Sequence, residues 1–158
     1  MRASASLFGL LVASSALAQE GLEYGFGTGR LGNVSASTLS VFNQCSGVRA
    51  LAGVSVDLDS AVGFAAGDLV LFHHTQGVAD AGVVDFGQST VGRYFFRRLV
   101  AVSGDRVTLD RPAELLTEGV VQAVRVIEAR QLFVRYTRSI VSPSWNGRCG
   151  GIIAALVS

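Results

Sequence analysis

Arg98-Leu99-Val100-Ala101-Val102-Ser103-Gly104-Asp105-Arg106-Val107-Thr108-Leu109 reads as a strand, a Ser-Gly-Asp turn and a second, alternating strand. Gly and Asp between two β-prone runs mark a hairpin, because a tight connection needs residues that tolerate a positive φ. Phe64-Ala65-Ala66-Gly67-Asp68-Leu69-Val70-Leu71-Phe72 repeats the same grammar, with a Gly-Asp turn directly before an apolar run. Thr38–Phe42 and Val54–Asp59 alternate polar with apolar residues, the period-2 signature of half-buried strands. Leu69–His74, Tyr94–Val102, Val120–Ile127, Leu132–Tyr136 and Ile152–Val157 complete the candidate strands. Val78–Gly92 is rich in Gly, Asp and Ser and reads as a long exposed loop. Ala113–Glu118 has room for one helical turn, and Ser142–Gly147 reads as a turn. The expected fold is all-β, with short-strand hairpins forming a small barrel or sandwich in a position to cap the start of a β-helix.

Three divisions follow. Arg2, the apolar run Leu7–Val12 and the small-residue pattern Ala16-Leu17-Ala18 form a secretory signal peptide over residues 1–18, cut before Gln19. Residues 19–36 are a Gly-rich, irregular lead-in, and residues 37–158 form a single all-β domain. No later run is long enough for a membrane helix, so the mature chain is expected without a transmembrane segment. Its expected place is outside the cytoplasm: periplasm, outer surface or extracellular medium. The net charge of +1 and the scatter of basic residues along the chain argue against a nucleic-acid surface. Cys45 and Cys149, the two cysteines, are expected to form a disulfide in an oxidising compartment, joining the first strand to the last. Closing such a loop stabilises a fold by about 4 to 5 kcal/mol in a chain-entropy treatment.

Several motifs suggest chemistry and lack its requirements. Gly27-Thr28-Gly29-Arg30-Leu31-Gly32 matches a dinucleotide fingerprint, but it leads into β sequence rather than a helix that would hold a pyrophosphate. The Gly67–Asp105 stretch resembles bacterial signal peptidases, whose Ser nucleophile needs a neutral Lys; every basic residue here is Arg. His73 and His74 are adjacent, so on a strand they point to opposite faces and cannot converge on one metal. Asp57 and Asp59 share a strand face, with Asp68, Asp80 and Asp85 elsewhere, but without the spacing of a calcium loop. Glu114 and Glu118, with these aspartates, give no selected pair for glycoside hydrolysis. No catalytic residue, cofactor or metal site is therefore expected. Asn33-Val34-Ser35 fits a glycosylation sequon. Arg93, Tyr94 and Arg97, in and around the long central strand, and Trp145 in the late turn, are the candidate ligand surface. Aromatic rings and guanidinium groups together suit polysaccharide or acidic headgroups.

The order of motifs carries a resemblance. Gly25–Gly32 is followed by Ala61-Val62, Gly63–Leu71, Gly92-Arg93-Tyr94 and the Val100–Leu109 hairpin, then by Gln122–Val126, Ser144–Gly147 and Gly150–Ala154. This series resembles the N-terminal β-rich module of large exported surface proteins of gliding bacteria, some described as adventurous gliding motility proteins. There the module leads into Gly-rich, β-helical repeats. The resemblance implies a non-enzymatic structural domain in cell-surface assembly, adhesion or motility-associated structures, with other surface β-proteins or extracellular polysaccharide as partners. It assigns no catalytic residue. Two departures, the stop after Gly150–Ala154 and the cysteine pair, point to a stand-alone derivative of the module. A carbohydrate-binding module, or a remnant of a polysaccharide-active enzyme, is the alternative reading.

Overall fold

The hairpin read from Arg98 to Leu109 forms part of the wall of a closed barrel. The computed structural model describes residues 27–36, 41–77, 91–113, 119–135 and 138–158. In chain order the strands are β1 (Asn33–Ser35), β2 (Cys45–Ala52), β3 (Ser55–Leu58), β4 (Leu69–Gln76), β5 (Tyr94–Ser103), β6 (Arg106–Leu109), β7 (Val120–Arg125), β8 (Ile127–Ala129), β9 (Gln131–Phe133) and β10 (Ala155–Val157). Strands β2-β3-β6-β5-β4-β7 close into a ring in that order, with every pairing antiparallel. Of the two all-β architectures expected, the chain adopts the barrel, which leaves this sheet without an open edge.

Closure follows from alternation and from irregularities placed along the strands. The inner parity brings Val56 and Leu58, Val70 and Phe72, Phe95 and Leu99, Val107 and Leu109, and Ala123 into one buried cluster, capped by Ala61 and Phe64. Phe72 and Phe95 are register partners, and their rings stack with centroids 5.0 Å apart. Burying side chains of this size contributes about 1.5 to 3 kcal/mol each. The register shifts between Val48 and Ala50, between His74 and Gln76, and between Leu99 and Ala101. Such bulges bend a strand and raise its twist, which lets a short sheet curl onto itself. Gly104, at φ +57°, makes the tight β5–β6 turn that its sequence announced.

Beside the barrel lies a smaller, parallel assembly. Strand β1 pairs with β9, and β10 pairs with β8. The Leu31 N–H donates to the Glu128 carbonyl and the Arg130 N–H to the Gly32 carbonyl, so the lead-in continues along β8. Residues 31–36, 127–133 and 154–158 thus stack as three short parallel rungs. They enclose a second core of Phe42, Ile127 and Ala129, with Val34, Leu132 and Ile140 packed against it. The barrel is inserted between the first rung and the second. Its entry and exit meet where the Arg125 N–H donates to the Gln44 carbonyl at 2.8 Å. Among the described residues no strand pairs with the outer edge of β10.

Several sequence expectations are corrected. The first barrel strand is Cys45–Ala52 rather than Thr38–Phe42, whose described residues Val41 and Phe42 are not in a strand. The run Val120–Ile127 divides at Val126, where the chain leaves the antiparallel barrel and enters the parallel rungs. The lead-in is irregular only as far as Gly32, after which Asn33–Ser35 pairs as β1. The signal peptide, the loop over residues 78–90 and the helical turn over residues 114–118 lie outside the described residues. The disulfide between Cys45 and Cys149 is present, with Cα atoms 5.9 Å apart. Cys149 lies in the irregular stretch before β10, not on the last strand itself.

Candidate functional site

Strand parity decides which of the candidate residues reach solvent. Along β5, Phe95, Arg97 and Leu99 are buried, while Tyr94, Phe96 and Arg98 take the outer face. Arg97 is 3% exposed, so it does not belong to the expected ligand surface. Its guanidinium lies 4.9 Å from the Phe95 ring centroid, with Nε donating to the Pro112 carbonyl at 3.0 Å and Nη1 to the Phe96 carbonyl. The planar, weakly hydrated guanidinium tolerates this position where an ammonium would not. Arg93 and Tyr94 are exposed, as expected.

The outer wall of the barrel has a definite composition. Register places Gly47, Gln122, His73 and Tyr94 in one row across β2, β7, β4 and β5, and Val124, Leu71 and Phe96 in the next. Tyr94 and Phe96 meet edge-to-face at 6.0 Å. His73 Nδ1 and the Thr75 hydroxyl are 3.3 Å apart, and the Gln122 amide donates to the same hydroxyl at 2.9 Å. Burial, and then the adjacent His74, hold the His73 pKa below its ordinary value. His74 faces inward and is buried, so the two imidazoles point apart as strand geometry requires.

Trp145 adjoins this wall through the backbone. Gly150, at φ +130°, donates its N–H to Gln122 Oε1 at 2.9 Å. A side chain at Gly150 would collide with its neighbours, since an added Cβ would lie 2.7 Å from the Ser144 carbonyl carbon and 2.8 Å from the Trp145 Cα. Asn146 Oδ1 accepts the N–H groups of Arg148 and Cys149, closing the turn that carries Trp145. Trp145 and Tyr94 are both about half exposed. The Gly150 contact and Tyr94 are separated by two strand spacings, about 10 Å, with Gln122 and His73 between. The wall thus offers the aromatic surface of Tyr94 and Phe96 beside the partly exposed His73 and Thr75, while Gln122 is buried beneath with both ends of its amide engaged.

A second constellation joins the barrel to the rungs. Glu128, on β8, is buried. It accepts Arg98 Nη1 at 2.9 Å on Oε2 and Arg98 Nη2 at 3.0 Å on Oε1. The Thr28 N–H and hydroxyl also donate to Oε1, at 3.0 and 3.2 Å. Burial opposes ionisation, but the Arg98 and Thr28 hydrogen bonds and the Arg98 charge outweigh it, so the carboxyl is held below its ordinary range. Arg98 Nη1 also donates to the Gly67 carbonyl at 2.8 Å. Beside it, Arg30 bridges Asp68 and the Ala66 carbonyl, both at 3.1 Å. Sequence reasoning missed Glu128. Its signal was a carboxylate between Ile127 and Ala129 in a β-branched run, a place that demands a cation partner.

The remaining carboxylates among the described residues are similarly engaged. Asp57 pairs with Arg106, Asp59 with Arg148 and Asp105 with Arg49. Asp110 accepts the Arg98 N–H. Among the described residues no group of three His, Cys, Asp or Glu side chains is placed to hold a metal ion, and no helix is long and apolar enough to cross a membrane.

No family model matches the chain, and neither does any curated protein. Two solved structures are similar in part. One is the tailspike protein gp49 from Pseudomonas phage LKA1, at 17% identity and a TM-score of 0.36, covering 64% of this chain and 18% of that one. The other is the gp54 tailspike of Acinetobacter baumannii bacteriophage AP22, in complex with A. baumannii capsular saccharide, at 14% identity and a TM-score of 0.36. That match covers 79% of this chain and 20% of the tailspike, so the chain spans about a fifth of either.

Proposed function

We propose that the protein is an exported, non-enzymatic β-module acting in cell-surface assembly, adhesion or motility-associated structures. The observation that carries this reading is the buried joint between Arg98 and Glu128. It fixes the barrel against the parallel rungs, so the barrel stands as a rigid projection from them. A non-catalytic role is supported by the engagement of every described carboxylate with an arginine or a backbone N–H, which leaves none poised for acid/base chemistry. The test is localisation: full-length protein carrying a C-terminal tag should be processed near Gln19 and become accessible to added protease on intact cells. Unprocessed protein retained in the cytoplasm would overturn the proposal.

The outer wall favours a second reading, in which the barrel binds extracellular polysaccharide through Tyr94, Phe96, His73 and Trp145. Aromatic faces beside polar groups are suited to the mixed apolar and hydroxylated surface of a sugar ring. A panel of neutral and acidic oligosaccharides tests it: saturable binding should fall at least tenfold in Tyr94→Ala or Trp145→Ala. Binding unaltered by both substitutions would place the site elsewhere.

A further inference from the structure

The ionic pairing across the molecule is uneven in a way that points to a partner. Among the described residues Arg30, Arg49, Arg98, Arg106 and Arg148 each meet a carboxylate. Arg97 and Arg125 are held by carbonyls. Arg111 is engaged as well, whereas Arg93, Arg130, Arg135 and Arg138 are exposed and their guanidinium groups meet no carboxylate or carbonyl of the described residues, the last three lying close together in the chain. These three flank the second rung, where Arg130 forms the corner between β8 and β9 and Arg135 follows β9. The Arg138 N–H donates to the Arg135 carbonyl at 2.9 Å, so a turn brings these two backbones together.

Between the arginines lies a surface unlike a solvated strand face. Leu132 and its register partner Val34 turn into the rung core, which sends Gln131 and Phe133 outward. Phe133 is 48% exposed. On the neighbouring rung Asn33 lies opposite Gln131, and Ser35 opposite Phe133. An aromatic ring and a pair of amides therefore share one parallel sheet face, and the three exposed arginines lie beside it along the chain. From Arg130 to Arg135 the chain covers about 16 Å at an extended rise of about 3.3 Å per residue.

We propose that this face binds an acidic polysaccharide, with Arg130, Arg135 and Arg138 taking carboxylate or sulfate groups and Phe133 lying against the sugar ring. The guanidinium fork matches such anions bidentately. The amides of Asn33 and Gln131 supply donors and acceptors for hydroxyl groups. Duplex nucleic acid fits less well, because its binding rests on neutralising many closely spaced phosphates, and three arginines release few counterions. The proposal is independent of the barrel wall, which uses other residues on another surface.

The test titrates full-length mature protein with polygalacturonate and dextran sulfate, with neutral dextran and a single-stranded oligothymidylate as comparators. One or both acidic polymers should bind, and dextran should not. The triple variant Arg130→Gln/Arg135→Gln/Arg138→Gln should keep the native thermal midpoint, since these exposed side chains make no hydrogen bond or ion pair with the described residues. It should bind at least tenfold more weakly, with a salt slope smaller by about 2. Phe133→Ala should weaken binding several-fold, while Tyr94→Ala and Arg93→Gln leave it unchanged. The proposal fails if neither acidic polymer binds, if dextran binds equally, if oligothymidylate binds more tightly, or if the triple variant binds as the native chain does. Loss in Tyr94→Ala alone would move the site to the barrel wall.

Discussion

Arg98 and Glu128 meet through two parallel hydrogen bonds, 2.9 and 3.0 Å long, between a barrel strand and a strand of the parallel rungs. The carboxylate side chain is 3% exposed and the guanidinium 26%, so the pair is largely shielded from solvent and salt. It belongs to the class of ion pairs whose disruption is costly because one charge is left behind.

Glu128→Ala should therefore destabilise the fold by about 3 kcal/mol or more, since Arg98 would remain half-buried without its counter-charge. Replacing both partners by Met should cost less than this single change, because no charge is stranded. Urea unfolding of the three proteins decides the matter; a double variant less stable than Glu128→Ala would contradict the account.

Acid should weaken the fold in two stages. The folded His73 resists protonation relative to its ordinary pKa of 6.5, so the unfolded chain binds more protons as the pH falls through that value. Glu128 is held below its ordinary 4.5, so its contribution is complete above 4.5 and is lost as the pH falls through the folded value. Both effects have the same sign, with stability rising with pH over each window. Denaturation midpoints from pH 8 to pH 3 should show the upper stage vanish in His73→Gln and the lower one shrink in Glu128→Gln.

Reducing the Cys45–Cys149 bridge frees the start of β2 from the turn region 104 residues away. Loss of a cross-link over a loop of that length should cost about 4 to 5 kcal/mol on chain-entropy grounds. Cys45→Ala/Cys149→Ala should show the same loss without reductant, and intact mass should rise by two hydrogens when the native chain is reduced. Equal unfolding midpoints with and without reductant would speak against a stabilising bridge.

Gly150→Ala should disturb the chain around the sole tryptophan. The positive φ and the nearby Ser144 and Trp145 backbone leave no space for a methyl group. A loss of about 1 to 3 kcal/mol is expected, with a shift in Trp145 emission that a remote packing defect would not produce.

The hairpins were legible because period-2 alternation is a local property, and Val107-Thr108-Leu109 or Val56-Asp57-Leu58 states its buried face directly. Closure was not legible, since it depends on pairing β2 with β7. Gly47 and the shift between Val48 and Ala50 break the alternation that would have marked β2. The turn out of the barrel at Val126 was hidden because β-branched residues continue on both sides, serving an antiparallel strand first and a parallel one after it. Arg97 was misplaced for a related reason. Tyr94, Phe95 and Phe96 put aromatic residues on both faces of β5, so composition alone cannot say which parity turns inward. Glu128 lay within reach of the sequence, because an acid flanked by Ile127 and Ala129 is anomalous until a cation is found for it.

The hydrogen bond from Arg125 to the Gln44 carbonyl gives the molecule a modular grammar. A segment whose two ends meet side by side can be excised, lengthened or exchanged while its host keeps the same geometry. The barrel is such a cassette, provided that whatever replaces it supplies a cation for Glu128 as Arg98 now does. Variation in sequence and length can therefore accumulate in the barrel, while the rungs stay constant.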